Sequence, residues 1–250
     1  MTAETKGHAE PAEPEHAVSL VIGAQGGIGS AMAAALEERG ESVWRLSRHG
    51  DPPMDITQPE SIIDAISVIA KHLAQEACTL RRVIIATGVL QGATPAGLAM
   101  TPERSLKQLR AETLMHQFRI NAVGPALLLQ HVLPLLPRQQ TSWVACLSAR
   151  VGSIGDNRLG GWYGYRASKA ALNQLVHTAA IELSRTHPLA CCVVLHPGTV
   201  DTPLSRPFSK TGLEVRDASV AAAELIGVMD ALTPADTGEF FDHKGLRIVW

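Results

Sequence analysis

The chain has 250 residues, 46% of them hydrophobic and 18% charged, with a formal net charge of -2. That length suits one α/β core, and the near-neutral balance lacks the basic excess of a nucleic-acid binder. No signal-like leader or long apolar run is seen, and Cys78, Cys146, Cys191 and Cys192 lack metal-ligand or CxxC spacing, so the expectation is a cytoplasmic protein with reduced thiols, no metal and no membrane span.

The first 16 residues, MTAETKGHAEPAEPEH, mix acid, proline and alanine without periodicity and are expected to form a flexible arm. From Ala17 to the end, one domain is expected. Its apolar β-type runs are AVSLVIG, SVWRLSR, RRVIIAT, SWVACLS and ACCVVLH. Between them lie IGSAMAAALEERG, SIIDAISVIAKHLAQ, ETLMHQFRINAVGPALLLQHVLPLL and YRASKAALNQLVHTAAIELSRT, with apolar residues at helical spacing and Gly40 closing the first. Strands alternating with helices predict a Rossmann-type doubly wound parallel sheet with helices on both faces.

The first strand runs into IGAQGGIG, where Gly23, Gly27 and Gly29 precede a helix. Glycines at such a turn permit tight geometry and close approach of a diphosphate, while the free amides of the helix start attract anions. Contacts to a dinucleotide are expected from Gly23, Gln25, Gly27, Ile28 and Gly29; turn punctuation is the plain alternative. The second strand ends Leu46-Ser47-Arg48-His49, without the acid that receives the ribose of NAD. Arg48, beside Ser47, can make a charge-assisted contact to a 2′-phosphate, which favours NADP(H). Asp51 could still serve the ribose of NAD(H).

The chain has two tyrosines, Tyr163 and Tyr165. A free phenol with a pKa near ~10 trades protons poorly at neutral pH unless a cation stabilises its phenolate. One helical turn onward, Tyr163 meets Ala167 and Tyr165 meets Lys169. Only Tyr165 can use a lysine this way.

With IGAQGGIG early and YRASK late, the chain resembles the short-chain dehydrogenase/reductase family from Ala17 onward. The resemblance implies an acid at Asp55, followed by Ile56, near the adenine, and a cofactor-facing loop at Ala86, Thr87 and Gly88. It also implies a water-relay asparagine at Asn121 and a nicotinamide-carboxamide loop at Pro197, Gly198, Val200 and Thr202. Tyr165 and Lys169 become catalytic and cofactor-binding residues. Each position also has a plain reading: Asp55 as a helix cap, Asn121 as repair of a kink near Gly124-Pro125, Pro197-Gly198 as a turn. The segments ARVGSIGDNRLGGWYGYRASKAALN, LHPGTVDTPLSRPF and TGEFFDHKGLRIVW are similar to the C-factor-like branch of the family, which includes both signals and carbonyl reductases.

Three positions depart from the family pattern. Ile22 replaces a threonine, Ile85-Ala86-Thr87-Gly88 replaces Asn-Asn-Ala-Gly, and Ala149 follows Ser148 where a second serine is usual. Ser148 is the expected substrate-positioning hydroxyl and Ser153 the alternative.

The resemblance implies hydride transfer between NADPH and an aldehyde, ketone or quinone, with Tyr165 as general acid. A dinucleotide-binding signalling protein with little turnover and an NAD-dependent alcohol dehydrogenase are the alternatives. A homodimer or homotetramer is also implied, with Ala122 to Leu136 as one candidate surface. Residues 203–220 are expected to form a lid, with Phe208 and Leu213 facing an apolar ligand and Arg206 and Lys210 available to acidic groups.

Overall fold

A computed structural model describes residues 16–205 and 215–250. The arm up to Glu15 and lid residues 206–214, with Arg206, Phe208, Lys210 and Leu213, lie outside the described residues. His16 is described, and its carbonyl accepts from Thr79 N at 3.0 Å.

Six parallel strands form the main sheet: β1 (Ala17–Ile22), β2 (Ser42–Leu46), β3 (Thr79–Ile85), β6 (Ser142–Leu147), β7 (Ala190–His196) and β8 (Phe240–Asp242). Their spatial order is β2-β1-β3-β6-β7-β8. Two short strands, β4 (Gly92–Ala93) and β5 (Ala99–Met100), make a separate antiparallel ribbon. The helices are α1 (Gly27–Glu38), α2 (Pro59–Gln75), α3 (Ala111–Phe118), α4 (Gly124–Val132), α5 (Tyr163–Leu183) and α6 (Ala218–Ala231).

Strand alternation divides the core into two layers. Val83 and Ile85 of β3 face α2, α4 and α5, where Ile62, Ile69, Leu128, Val132, Leu172 and Val176 are buried. Ile84 faces the other way, toward Met32 and Leu36 of α1 and Leu225, Ile226 and Met229 of α6. Each such side chain taken out of water contributes about 1.5–3 kcal/mol, so both helix layers are fixed to the sheet.

Five expected strands and four expected helical segments are present, with the first helix ended by Gly40, whose N–H bonds Glu37 O at 2.9 Å. Three features differ. The long segment beginning at Glu112 is not one regular helix: a wider π-type turn at Arg119–Val123 separates α3 from α4. The three-residue β8 extends the sheet beyond β7. The C-terminal end of the expected lid is already α6, because Ala221, Ala222, Leu225, Ile226 and Met229 make a buried helical stripe. After β2, the chain returns to the sheet edge only as a single parallel bridge, Ser47 to Pro53.

The strand order changes direction between β1 and β3. A crevice therefore opens at their carboxyl ends, where such sheets place ligands.

Candidate active site

The glycine turn lies at that crevice. Gly23, at φ +81°, and Ala24 turn the chain with their N–H groups on Leu46 O at 2.9 and 3.2 Å. The turn is packed too closely for side chains. A Cβ on Gly29 would stand 2.3 Å from Gly23 O, and one on Gly27 would stand 2.6 Å from Thr202 Cγ2. No acid or capping side chain occupies the first turn of α1, so its amides, including those around Ile28, remain suited to an anion.

A cavity of about 430 Å³ continues from the turn, lined by Ala24, Gln25, Val43, Trp44, Arg45, Ser47, Gly50 and Asp51. Ser47 thus lines it, whereas Arg48 is exposed outside the lining. Asp55 accepts from Thr57 N and Thr57 Oγ1, both at 2.8 Å, an Asx-type turn. Burial works to raise its carboxyl, but the Thr57 bonds and then Arg48 and Arg119 hold it below its ordinary value. Ile56 packs where a side chain on Gly124 would otherwise stand.

After β3, Ala86 N bonds Ile22 O at 2.8 Å, which sets Ala86, Thr87 and Gly88 beside the glycine turn. Thr87 Oγ1 is buried without a hydrogen-bond partner among the described residues. On the other flank, Thr202 packs on Gly27, and the backbone of Arg216 pairs with Thr199 and Asp201. The Arg216 side chain also donates to Pro197 O and meets Glu224 and His243, fixing the Pro197–Gly198–Val200 loop. Close-packed glycines, an open helix start and an unpartnered buried hydroxyl together suit a dinucleotide.

Three of the expected catalytic groups, Tyr165, Lys169 and Asn121, come together from two elements. Tyr165 and Lys169 stand one turn apart on α5, 7% and 3% exposed, with Lys169 Nζ 6.0 Å from the Tyr165 ring centroid. Asn121, in the π-type turn, exchanges two hydrogen bonds with the Val89 backbone at 2.8 and 2.9 Å. A point one Cβ out from Gly88 lies 3.5 Å from both Asn121 Oδ1 and Lys169 Nζ. Ser168, which the sequence reading did not single out, joins them: it accepts from Asn121 Nδ2 at 3.0 Å and donates to Tyr165 O at 3.0 Å. The signal for it was its place in YRASK, one turn after Tyr165.

The electrostatics differ from the expectation that Lys169 lowers the Tyr165 phenol. Burial pushes the phenol up, while Lys169 donates to Leu147 O at 2.9 Å and is itself lowered by burial to about 8. Burial thus disfavours the phenolate in this arrangement. Burial likewise pushes the neighbouring Cys146 thiol up to about 12, and all four cysteines are free thiols.

The two serines are placed differently. Ser148 Oγ donates to Asn173 Oδ1 at 2.7 Å. Asn173 lies eight residues beyond Tyr165 on α5, about 12 Å along a helix axis, so the Ser148 hydroxyl proton is committed to a side chain rooted two turns beyond the phenol. Ser153 is 1% exposed, and its Oγ accepts from Asp156 N at 3.0 Å, which leaves its hydroxyl proton available. Its neighbour Gly152 packs on Lys169, where a Cβ would stand 2.9 Å from Lys169 Cβ. A second cavity, about 550 Å³, adjoins Gly88 and is lined by Val89, Leu90, Gln91, Gly92, Met100, Thr101, Pro203 and Leu204.

The short chain dehydrogenase family model matches residues 17–212. The chain belongs to that family. It is 31% identical over 242 residues to a 1-hydroxy-2-glutathionyl-2-methyl-3-butene dehydrogenase of Rhodococcus sp. (strain AD45), covering 92% of this chain and 98% of the relative. It is 36% identical over 137 residues to the C-signal of Myxococcus xanthus, covering 53% and 76% respectively, which supports the C-factor-like branch. An NADPH-bound carbonyl reductase from chicken fatty liver shares the fold, with TM-score 0.78, 23% identity and coverage of 94% and 99%. The protein is thus an NAD(P)-dependent short-chain oxidoreductase. Among the described residues, no helix is long and apolar enough to cross a membrane.

Proposed function

We propose that the protein is an NADPH-dependent reductase of uncharged aldehydes, ketones or quinones. The observation that carries this reading is the buried Tyr165 phenol one turn from Lys169, whose ammonium lies beside Gly88 together with Asn121. A protonated phenol is suited to giving a proton to a developing alkoxide.

Gly23, Gln25, Gly27, Ile28 and Gly29 would hold the cofactor diphosphate, Ser47 and Arg48 the 2′-phosphate, and Asp55 and Ile56 the adenine side. Ala86, Thr87, Gly88, Pro197, Gly198, Val200 and Thr202 would flank the nicotinamide half. The bound cofactor supplies a hydride to the carbonyl carbon. Tyr165 donates the proton that completes the alcohol, and the Lys169 ammonium stabilises the phenolate left behind while binding the ribose. Asn121, clamped on Val89, holds the relay position beside Lys169. Ser153, rather than Ser148, donates to the substrate oxygen, since Ser148 Oγ is committed to Asn173.

Val89, Leu90, Met100 and Leu204 make the second cavity largely apolar, and Gln91 and Thr101 are its neutral polar side chains. No charged side chain lines it among the described residues. This apolar wall suits the body of an apolar carbonyl compound; Arg206 and Lys210 of the expected lid lie outside the described residues, so the glutathione adduct in the Rhodococcus relative's name is the competing substrate class that the test includes. The test is NADPH and NADH oxidation across aldehydes, ketones and quinones, with NADP-linked oxidation of a glutathionyl alcohol run in parallel. Turnover of uncharged carbonyls with NADPH is expected. NADPH binding without any turnover would overturn the reading in favour of a signalling role.

A further inference from the structure

Glu103 is a buried acid 60 or so residues upstream of the tyrosine helix in sequence, yet it touches that helix at its first turn. It is 4% exposed. Its main-chain oxygen accepts from Trp162 N at 2.5 Å, and its Oε2 accepts from Gly164 N at 3.2 Å. One residue therefore grips the chain on both sides of Tyr163.

The gripped segment is unusual in its backbone. Gly160, Gly161 and Trp162 have φ of +62°, +66° and +54°, three left-handed residues in succession. Glycine takes that conformation readily, but a tryptophan does so only when its surroundings enforce it. Arg166 holds the two glycines through Gly160 O and Gly161 O, and Glu103 holds Trp162. Trp162 in turn meets the Tyr165 ring edge-on, with centroids 6.3 Å apart.

The fit around Gly164 is equally tight. A Cβ there would lie 2.1 Å from Gln117 Oε1 and 3.0 Å from Glu103 Oε1. Both oxygens are buried without hydrogen-bond partners among the described residues. Gln117 Nε2 reaches only Leu90 O, at 3.5 Å, so turning this amide to face Glu103 would sacrifice a marginal bond. Leu90 also lines the substrate-side cavity. Glu103 and Gln117 thus both border Gly164 at the entry of the tyrosine helix, and Gln117 also reaches Leu90 of the pocket wall.

We propose that Glu103 is a positioning residue for the reaction: it staples the left-handed entry turn at Trp162 and Gly164 and so aims Tyr165. It acts through the backbone and touches neither substrate nor cofactor. The proposal rests on the reductase reading for its kinetic consequence, while its structural half can be read without turnover.

The experiment compares Glu103→Ala and Glu103→Gln with the full-length wild-type chain. Glutamine keeps an oxygen for Gly164 N–H and gains an amide that can face Gln117 Oε1. Glu103→Ala is expected to lower kcat on an accepted carbonyl at least tenfold, with the NADPH Kd within twofold. Glu103→Gln is expected to stay within threefold on both. In parallel, hydrogen exchange of the Gly164 amide, whose acceptor is the Glu103 side chain, should quicken at least tenfold in Glu103→Ala and little in Glu103→Gln, with the Trp162 amide, bonded to the Glu103 main-chain oxygen that both variants keep, as the internal reference. Should Glu103→Ala fail to fold, Gly164→Ala, whose methyl intrudes on the same gap, is expected to lower kcat at least tenfold. Wild-type kcat in Glu103→Ala or Gly164→Ala, equal kcat losses in the two Glu103 variants, or unchanged exchange overturns the proposal. Absence of turnover in the wild type counts against the reductase reading alone, and the exchange result then decides the staple.

Discussion

Ser148 Oγ donates to Asn173 Oδ1 at 2.7 Å, and the same asparagine reaches Gly152 O at 3.4 Å. The serine that follows β6 therefore braces the turn carrying Ser153. Ser148→Ala is expected to cost about 1–2 kcal/mol of stability, since it leaves a buried acceptor without its donor. Its kcat should stay within a few-fold. Ser153→Ala is expected to lower kcat by about 10²-fold at nearly unchanged NADPH affinity, the scale of losing one donor to a developing oxyanion. Denaturant melts and steady-state kinetics on both variants check the assignment; the reverse pattern refutes it.

Arg48 is exposed and next in sequence to Ser47, which lines the cavity beside the glycine turn. A charge-assisted contact to a 2′-phosphate is worth about 1.5–3 kcal/mol, roughly 10–100-fold in affinity. Arg48→Ala should weaken NADPH by that factor and leave NADH within twofold, measured by fluorescence titration. Equal weakening of both cofactors would remove the basis for NADP preference.

Gly29 has no room for a side chain, because a Cβ would stand 2.3 Å from the Gly23 carbonyl oxygen. Gly29→Ala is expected to distort the turn, lose NADPH binding, and destabilise the fold by about 1–3 kcal/mol. Calorimetry with and without NADPH reads both effects. Retained ligand stabilisation would show that the turn does not carry the diphosphate.

Lys169 is lowered by burial from 10.5 to about 8. Below about pH 8 it is charged in both the native and unfolded states, and the native state carries the full cost of the buried ammonium. Between about 8 and 10.5 the native lysine is neutral while the unfolded one still binds its proton, so the cost is relieved as pH rises. Lys169→Met is therefore expected to be more stable than wild type at pH 7, by about 1–2 kcal/mol after loss of the Leu147 bond. That advantage should shrink as pH rises through 8 to 10.5. Paired urea melts across this range provide the check, and a constant difference would contradict it.

The sheet was largely legible because β-type runs such as SWVACLS and ACCVVLH are long and bounded by turns. The three residues of β8 were too short to register, although Phe240 is fully buried. Helix α6 had a readable stripe at Ala221, Ala222, Leu225, Ile226 and Met229, but it was absorbed into the lid that precedes it. In the site, Tyr165 and Lys169 could be paired from helical spacing alone. The choice between Ser148 and Ser153 could not, because counting residues does not reveal which way a loop hydroxyl turns. Glu103 and Ser168 were silent for a related reason: their roles lie in hydrogen bonds to Gly164 and Asn121, partners far away in sequence.

The central claim is that Tyr165 supplies the proton for carbonyl reduction, and single-turnover reduction by Tyr165→Phe with NADPH already bound tests it most directly. The account predicts NADPH affinity within twofold of wild type and carbonyl reduction slowed by at least about 10²-fold. Reduction at the wild-type rate without the phenolic hydroxyl would contradict it.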